Sequence, residues 1–225
     1  MKMVVSDFDK TLFTLDYDKN IEAVNKFVAR GNIFVIATGR NLVSIKPDLD
    51  EKLNFSYLIC NDGGAIYDNN FNVLYRKDID DDVSLEVFDI LKKAASVGGP
   101  LIDLTEGYCD VYAKAANAIV ARIIDEEKAA ILLDKILLKY PLVMGYMSDN
   151  WVNIDDISVN KGNGVKKLCE IINYNYADVY AVGDNINDIS MCSICHGIAM
   201  ENGQSSLKDV CEDTCKNVAE LINRL

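Results

Sequence analysis

The sequence predicts an α/β protein whose parallel sheet is covered by helices on both faces. Three observations carry that expectation. Short continuous apolar runs rich in β-branched residues recur at Met3–Ser6, Ile33–Ala37, Tyr57–Cys60 and Asp178–Val182. Stretches with helical periodicity lie between several of them. Runs that are apolar at successive rather than alternate positions belong to strands buried on both faces, the condition of a parallel sheet between helical layers.

Each element follows from local pattern. Met3–Ser6 breaks abruptly into Asp7 and Asp9 and reads as a buried strand entering a polar loop. Ile21–Ala29 places Ile21, Val24 and Val28 on one helical face. Ile33–Ala37 is the next strand, closed by Thr38-Gly39-Arg40, and Tyr57–Cys60 the one after. Ala65–Tyr67 and Val73–Tyr75 around Asp68-Asn69-Asn70 form a hairpin pattern. Near Asp80 the texture changes to a helix at Val83–Ala95, extended segments at Leu101–Thr105 and Cys109–Ala113, a helix at Glu126–Tyr140, and strand-like runs at Leu142–Met147 and Trp151–Ile154. Residues 80–154 are therefore expected to form a smaller α+β module, inserted into a sheet domain built from residues 1–79 and 155–225. Alternation then resumes with a helix at Val165–Ile172 and the strand Asp178–Val182.

With 225 residues, half of them apolar, the chain can bury one sizeable core or a core and a smaller second one. Its formal net charge of −12 repels polyanions, so nucleic acid and membrane surfaces are not expected partners. The first carboxylate comes too early for a secretory apolar region, and residues 129–147 are interrupted by Asp134, Lys135 and Lys139. Neither an export signal nor a membrane span is read. Seven cysteines in such a chain point to reduced thiols in a cytoplasmic protein. Cys192-Ser193-Ile194-Cys195-His196, followed by Cys211 and Cys215, has the outline of a haem or zinc motif. Buried free cysteine also behaves as a small hydrophobe, and that is the reading adopted for this segment.

In an open parallel sheet, ligands sit beyond the carboxyl ends of the strands. Four polar segments follow predicted strands or open predicted helices, and so converge on one sheet edge. They are Asp7-Phe8-Asp9-Lys10-Thr11, Thr38-Gly39-Arg40, Asn160-Lys161-Gly162 and Gly183-Asp184-Asn185-Ile186-Asn187-Asp188. Asp7 and Asp9, two apart in extended chain, can face one point. Their repulsion is tolerable where a cation sits, and hard oxygen ligands suit Mg²⁺. Asp184 can supply a third carboxylate. Thr38 and Gly39 offer a hydroxyl and open backbone N–H groups to an anion. Lys161 opens a helix that Asn160 can cap, so an ammonium and a helix N-terminus address the same anion. Together these groups suit the handling of a phosphate.

The motifs occur in the order D-x-D-x-T, a Thr after the second strand, a Lys, and an acidic G-D-x-x-x-D box, with the insert between the second and third. In this they resemble the haloacid dehalogenase superfamily of phosphatases, in its type IIB, Cof-like branch, along essentially the whole chain. The resemblance implies a Rossmann-like parallel sheet core with an inserted α+β cap domain. It implies that Asp7 attacks phosphorus to form an aspartyl-phosphate, and that Asp9 protonates the leaving alkoxide and then takes a proton from water. Mg²⁺ would be held by Asp7, the backbone carbonyl of Asp9 and Asp184. Thr38 and Lys161 would hold phosphoryl oxygens with help from Asn187, while Asp188 would orient Lys161 or a metal-bound water. The implied substrate is a small phosphomonoester, with sugar phosphates the first class to test, selected by the cap, where Tyr108, Tyr112, Tyr146 and Trp151 are candidate contacts. A phosphomutase of the phosphomannomutase type and a non-catalytic phosphometabolite-binding protein are the alternatives. Two positions depart from the family pattern. Lys10 stands where glycine is commonest, and Asp62-Gly63 where Asn-Gly is usual.

Overall fold

A computed structural model describes residues 1–96, 98–104, 107–148 and 150–225. The chain divides into two compact units, one made of residues 1–40, 44–75 and 160–225, the other of residues 41–43 and 76–159.

The chain opens with β1 (Met3–Asp7), α1 (Tyr17–Ala29), β2 (Ile33–Ala37), the single turn α2 (Leu42–Ile45), β3 (Tyr57–Cys60), β4 (Ala65–Asp68) and β5 (Val73–Arg76). It continues with α3 (Asp81–Ala94), β6 (Leu101–Leu104), β7 (Gly107–Cys109), β8 (Ala118–Arg122), α4 (Glu126–Lys139), β9 (Val143–Ser148) and β10 (Trp151–Asp156). The last third holds α5 (Lys161–Ile172), β11 (Val179–Gly183), α6 (Ile189–Cys192), β12 (His196–Met200), α7 (Ser205–Lys208), β13 (Asp213–Cys215) and α8 (Val218–Arg224).

The first unit is the parallel α/β sheet the apolar runs predict. Its strand order is β13-β12-β11-β1-β2-β3-β4-β5. From β13 to β3 every pairing is parallel, and β4 returns antiparallel to β3. All five residues of β1 are buried, as expected of a strand covered on both faces. On one face Val165, Leu168 and Cys169 of α5 pack against Met3, Val5, Val35 and Ile59. Elsewhere in the unit α1 runs along α8, and the buried Asn20 ties that layer together. Its amide donates to the Leu12 carbonyl at 2.9 Å and accepts from the Ala219 N–H at 3.0 Å. Such a side chain satisfies two buried backbone groups that would otherwise lack partners. All seven cysteines are free thiols, with Cys192 and Cys215 buried and Cys195 and Cys211 partly so.

The second unit is a five-stranded antiparallel sheet, β7-β6-β8-β10-β9, carrying α3 and α4. Asp80 caps α3 by accepting from the Asp82 and Val83 N–H groups, and Asp125 caps α4 by accepting from Lys128. Val87, Phe88 and Leu91 of α3 and Ala129, Leu133 and Ile136 of α4 bury against Ile102, Ile119, Ala121, Val152 and Ile154. Gly145 permits that fit, since a Cβ there would lie 2.7 Å from both Ile154 Cδ1 and Leu133 Cδ1.

Residues directly opposite in an antiparallel pair share a face. The register therefore sets Tyr108, Asp103, Ala118 and Asp155 in one row on the opposite face, with Tyr146 beside Asn153 and Trp151 beside Arg122 in later rows. Tyr108, Tyr146 and Trp151 are all exposed there. Tyr112, the fourth candidate contact, is half-buried and packs against the core of this unit. Its hydroxyl donates to the Asp81 carbonyl at 2.7 Å and lies 3.1 Å from Ser84 Oγ, while its ring meets Phe88 edge-on.

One expectation for this unit needs correction. The extended segment at Cys109–Ala113 is strand only at Cys109, and the strand that occupies the middle of the sheet is β8. Ala118 and Ala121 give β8 a weak strand signal, so its place between two partners, not its propensity, makes it a strand. The segment at Leu101–Thr105 is strand over Leu101–Leu104, and Thr105 lies outside the described residues.

Candidate active site

The site forms where β1, β2 and β11 end together. Ser6 lies opposite Ile36 and Val182, and Asp7 opposite Ala37, so Asp7, Thr38 and Asp184 reach the same sheet edge from three distant segments. Lys161, the first residue of α5, joins them. Asn160 caps that helix by accepting from the Asn163 N–H, which fixes where Lys161 begins. The Lys161 ammonium is fully buried and donates to Asp7 Oδ1 and Asp188 Oδ1, each at 2.6 Å. A buried lysine needs such partners, because the isolated ion would lose its solvation without return.

The acidic box is folded tightly around Asp188. Its Oδ2 accepts from the Asp184 and Asn185 N–H groups at 2.9 and 3.0 Å. Gly183 makes this approach possible, since a Cβ there would fall 2.3 Å from that same oxygen. Asp184 in turn accepts from the Thr11 hydroxyl at 3.2 Å. One carboxylate oxygen from each of Asp7, Asp184 and Asp188 lies within 4.8 Å of the others.

Three carboxylates gather around a single buried ammonium, an excess of acidic groups in a mostly buried space. Electrostatics register the excess. Burial, aided by the charges of Asp188 and Asp184, pushes the Asp7 carboxyl up to about 7 despite the opposing pull of Lys161. Asp184 is raised for the same reasons, burial first and Asp188 next. Lys161 is held charged by Asp7, Asp188 and Asp62, whose fields outweigh its desolvation. A small divalent cation fits this donor set in charge, in oxygen chemistry and in spacing.

Asp9 takes a different direction. Its carboxylate receives a two-pronged contact from the Arg40 guanidinium, with Nε to Oδ2 at 2.8 Å and Nη2 to Oδ1 completing the fork. Arg40 also donates through Nη1 to Asp48 at 2.5 Å and lies over the Phe8 ring at 5.6 Å. Asp9 is thereby fixed in orientation beside Asp7 while staying partly open to solvent. Lys10, next in the turn, has φ +62°, a left-handed conformation that glycine would adopt without strain.

Thr38 is buried and its hydroxyl oxygen accepts from the Arg40 N–H at 3.1 Å, which leaves the hydroxyl proton to donate. Gly39 follows it directly. Asn187 gives its amide to Asp62, Nδ2 to Oδ1 at 2.9 Å. Thus the structure brings Asp7, Thr38, Gly39, Lys161, Asp184, Asn187 and Asp188 to one edge, with Asp9 clamped nearby by Arg40.

Sequence reasoning assigns no role to Arg40, Thr11 or Asp48. The first two lie inside segments already singled out, and an arginine directly after Thr-Gly at a strand end is the usable signal. Asp48 carries none, because only the fold brings it to Arg40.

A sequence profile of the haloacid dehalogenase-like hydrolases matches residues 4–110 and 109–221. A 5-amino-6-(5-phospho-D-ribitylamino)uracil phosphatase from Bacillus subtilis is 27% identical over 225 residues, covering 94% of this chain and 88% of the relative. A phosphoglycolate phosphatase from Methanosarcina acetivorans is 29% identical over 210 residues, covering 92% and 87%. Among solved structures, a haloacid dehalogenase-like hydrolase from Bacteroides thetaiotaomicron superposes with a TM-score of 0.84 at 18% identity, over 99% of this chain and 98% of that one. A sugar phosphatase of subclass IIB superposes with a TM-score of 0.77 at 17% identity, over 100% and 98%.

Proposed function

Because the chain belongs to the haloacid dehalogenase-like hydrolase family, we propose that it is a Mg²⁺-dependent phosphatase of small phosphorylated metabolites, with sugar and polyol phosphates the first class to test. The observation that carries this reading is the set of Asp7, Asp184 and Asp188 beside the buried Lys161, in which carboxylates outnumber the ammonium that meets them. The phosphatases it resembles act, by their names, on a ribityl phosphate, on phosphoglycolate and on sugar phosphates. A phosphate ester on a small oxygenated carbon chain is common to these.

In the proposed reaction Lys161 holds Asp7 Oδ1, so Oδ2 is the oxygen that attacks phosphorus. The bond from phosphorus to the ester oxygen breaks as the bond to Asp7 forms, and Asp9 gives its proton to the departing alkoxide. Asp9 then takes a proton from water as that water attacks phosphorus, which frees Asp7 and inorganic phosphate. Thr38, the Gly39 N–H, Asn187 and Lys161 bind the equatorial oxygens. Asp188 keeps Lys161 aimed at Asp7. Asp7, Asp184 and the Asp9 carbonyl would hold Mg²⁺, which screens the repulsion between phosphate and carboxylate when bound. Arg40 orients the carboxylate form of Asp9, the form that takes the proton from water, through its two-pronged contact, and one prong must open when Asp9 carries the proton it gives to the alkoxide.

The direct test measures release of inorganic phosphate from a panel of phosphomonoesters, with Mg²⁺ and with chelator. Release that chelator abolishes and Mg²⁺ restores is expected, and turnover indifferent to metal would contradict the reading. Arg40→Ala is expected to lower kcat about 10- to 100-fold, the usual weight of a positioned acid–base group, with a smaller change in KM. Arg40→Lys should recover little, because a lysine cannot make both bonds to Asp9. An unchanged kcat in Arg40→Ala would remove Arg40 from this role.

A further inference from the structure

The turn Asn61-Asp62-Gly63 carries the second departure from the family pattern, and every group assigned above to phosphate touches it or feels it. The Asp62 N–H donates to the Thr38 carbonyl at 3.0 Å. Its Oδ2 lies 3.0 Å from where a Cβ on Gly39 would stand, so the carboxylate rests against the Gly39 backbone. Its Oδ1 accepts from Asn187 Nδ2 at 2.9 Å. Its charge also acts on Lys161. All three residues of the turn have positive φ, with Asp62 at +48°, a conformation that aspartate and asparagine tolerate better than other side chains. An acidic side chain thus stands where an anionic substrate is to be received.

We propose that Asp62 limits the affinity of this edge for phosphate: its carboxylate competes for the Asn187 amide and sets a repulsive charge beside Gly39, so dianionic substrate and product are both held loosely. This rests on the phosphatase reading, which supplies the phosphate. The consequence is rapid release of inorganic phosphate, obtained at the expense of a higher KM. An asparagine at position 62 keeps an acceptor for Asn187 and suits the same backbone, while removing the charge.

The test compares wild type with Asp62→Asn, and with Asp62→Ala as a second uncharged variant should the first fail to fold. Binding of inorganic phosphate in the presence of Mg²⁺ is measured by calorimetry, and as competitive inhibition wherever a hydrolysed ester is available. Removal of one unit charge near the anion is expected to tighten phosphate binding about tenfold, with KM falling in parallel. Added salt should improve phosphate binding to wild type more than to the variant, since only wild type carries a repulsion to screen. Unchanged or weaker phosphate binding by the uncharged variant overturns the inference. Calorimetry needs no turnover, so a chain that binds phosphate yet hydrolyses nothing would sink the phosphatase reading and leave the role of Asp62 decided on its own.

Discussion

Asp7→Asn is expected to abolish turnover, by about 10⁴-fold or more, the scale on which enzymes lose activity with their nucleophile. The fold should survive, because an amide oxygen can still accept from Lys161 where Asp7 Oδ1 does now. A second readout needs no substrate. Burial and two neighbouring carboxylates push the Asp7 carboxyl up to about 7, so the folded protein holds that proton more tightly than the unfolded chain does. The stability this confers is complete below about pH 4 and is lost as pH climbs through about 7. Asparagine has no such proton to lose. In the absence of metal, Asp7→Asn should therefore melt above wild type near pH 8, the gap closing as pH falls toward 4. Added Mg²⁺ should favour wild type and shrink the gap at the upper end. Retention of ordinary turnover by the variant would contradict the nucleophile, and a melting difference independent of pH would contradict the electrostatics.

Lys161→Met is expected to cost about 3–5 kcal/mol in stability, the penalty for leaving buried charge without its partner. Lys161 stands between Asp7 and Asp188 with no exposure to solvent, and its removal leaves three clustered carboxylates with no cation among them. Turnover should fall about 10²- to 10³-fold or more, since a donor to the transferring group is lost as well. Denaturant unfolding without metal reads the first effect and steady-state kinetics with Mg²⁺ the second. Because the destabilisation comes from uncompensated charge, Asp7→Asn combined with Lys161→Met should recover part of it, a coupling that independent sites would not show. A loss below about 1 kcal/mol, or strict additivity in the double variant, would mean that the ion pairs do not hold this edge together.

Much of the parallel sheet is legible in the sequence for a simple physical reason. A strand covered on both faces must be apolar throughout, and such runs stand out at Met3–Ser6, Ile33–Ala37 and Tyr57–Cys60. The site segments stand out by contrast, as polar and glycine-bearing breaks where those runs stop. β8 is hidden because its alanines have little strand preference and its environment is set by Leu101–Asp103 on one side and Trp151–Asp155 on the other. β12 begins at His196, inside a segment whose cysteines draw attention to metal chemistry, while the structure uses Cys192 as a buried filler that touches the Ala181 carbonyl through its thiol.

Side-chain pairings are the least legible layer. Asp9 with Arg40 and Asp62 with Asn187 join residues that no local pattern connects. The sequence displays each member as an ordinary loop residue. Only the meeting of strand ends turns Arg40 into a clamp and Asp62 into a neighbour of Gly39 and Asn187.

The position of β1 between β2 and β11 has a bearing on how the polypeptide is made. One neighbour leaves the ribosome soon after β1, but Val179, which aligns with Met3, comes much later. At ordinary elongation rates of about 5–20 residues per second, that interval is on the order of ten to thirty seconds. Throughout it an apolar strand has one unzipped border, open to the wrong suitor, and assembly of the reactive centre can only be among the last events of biogenesis.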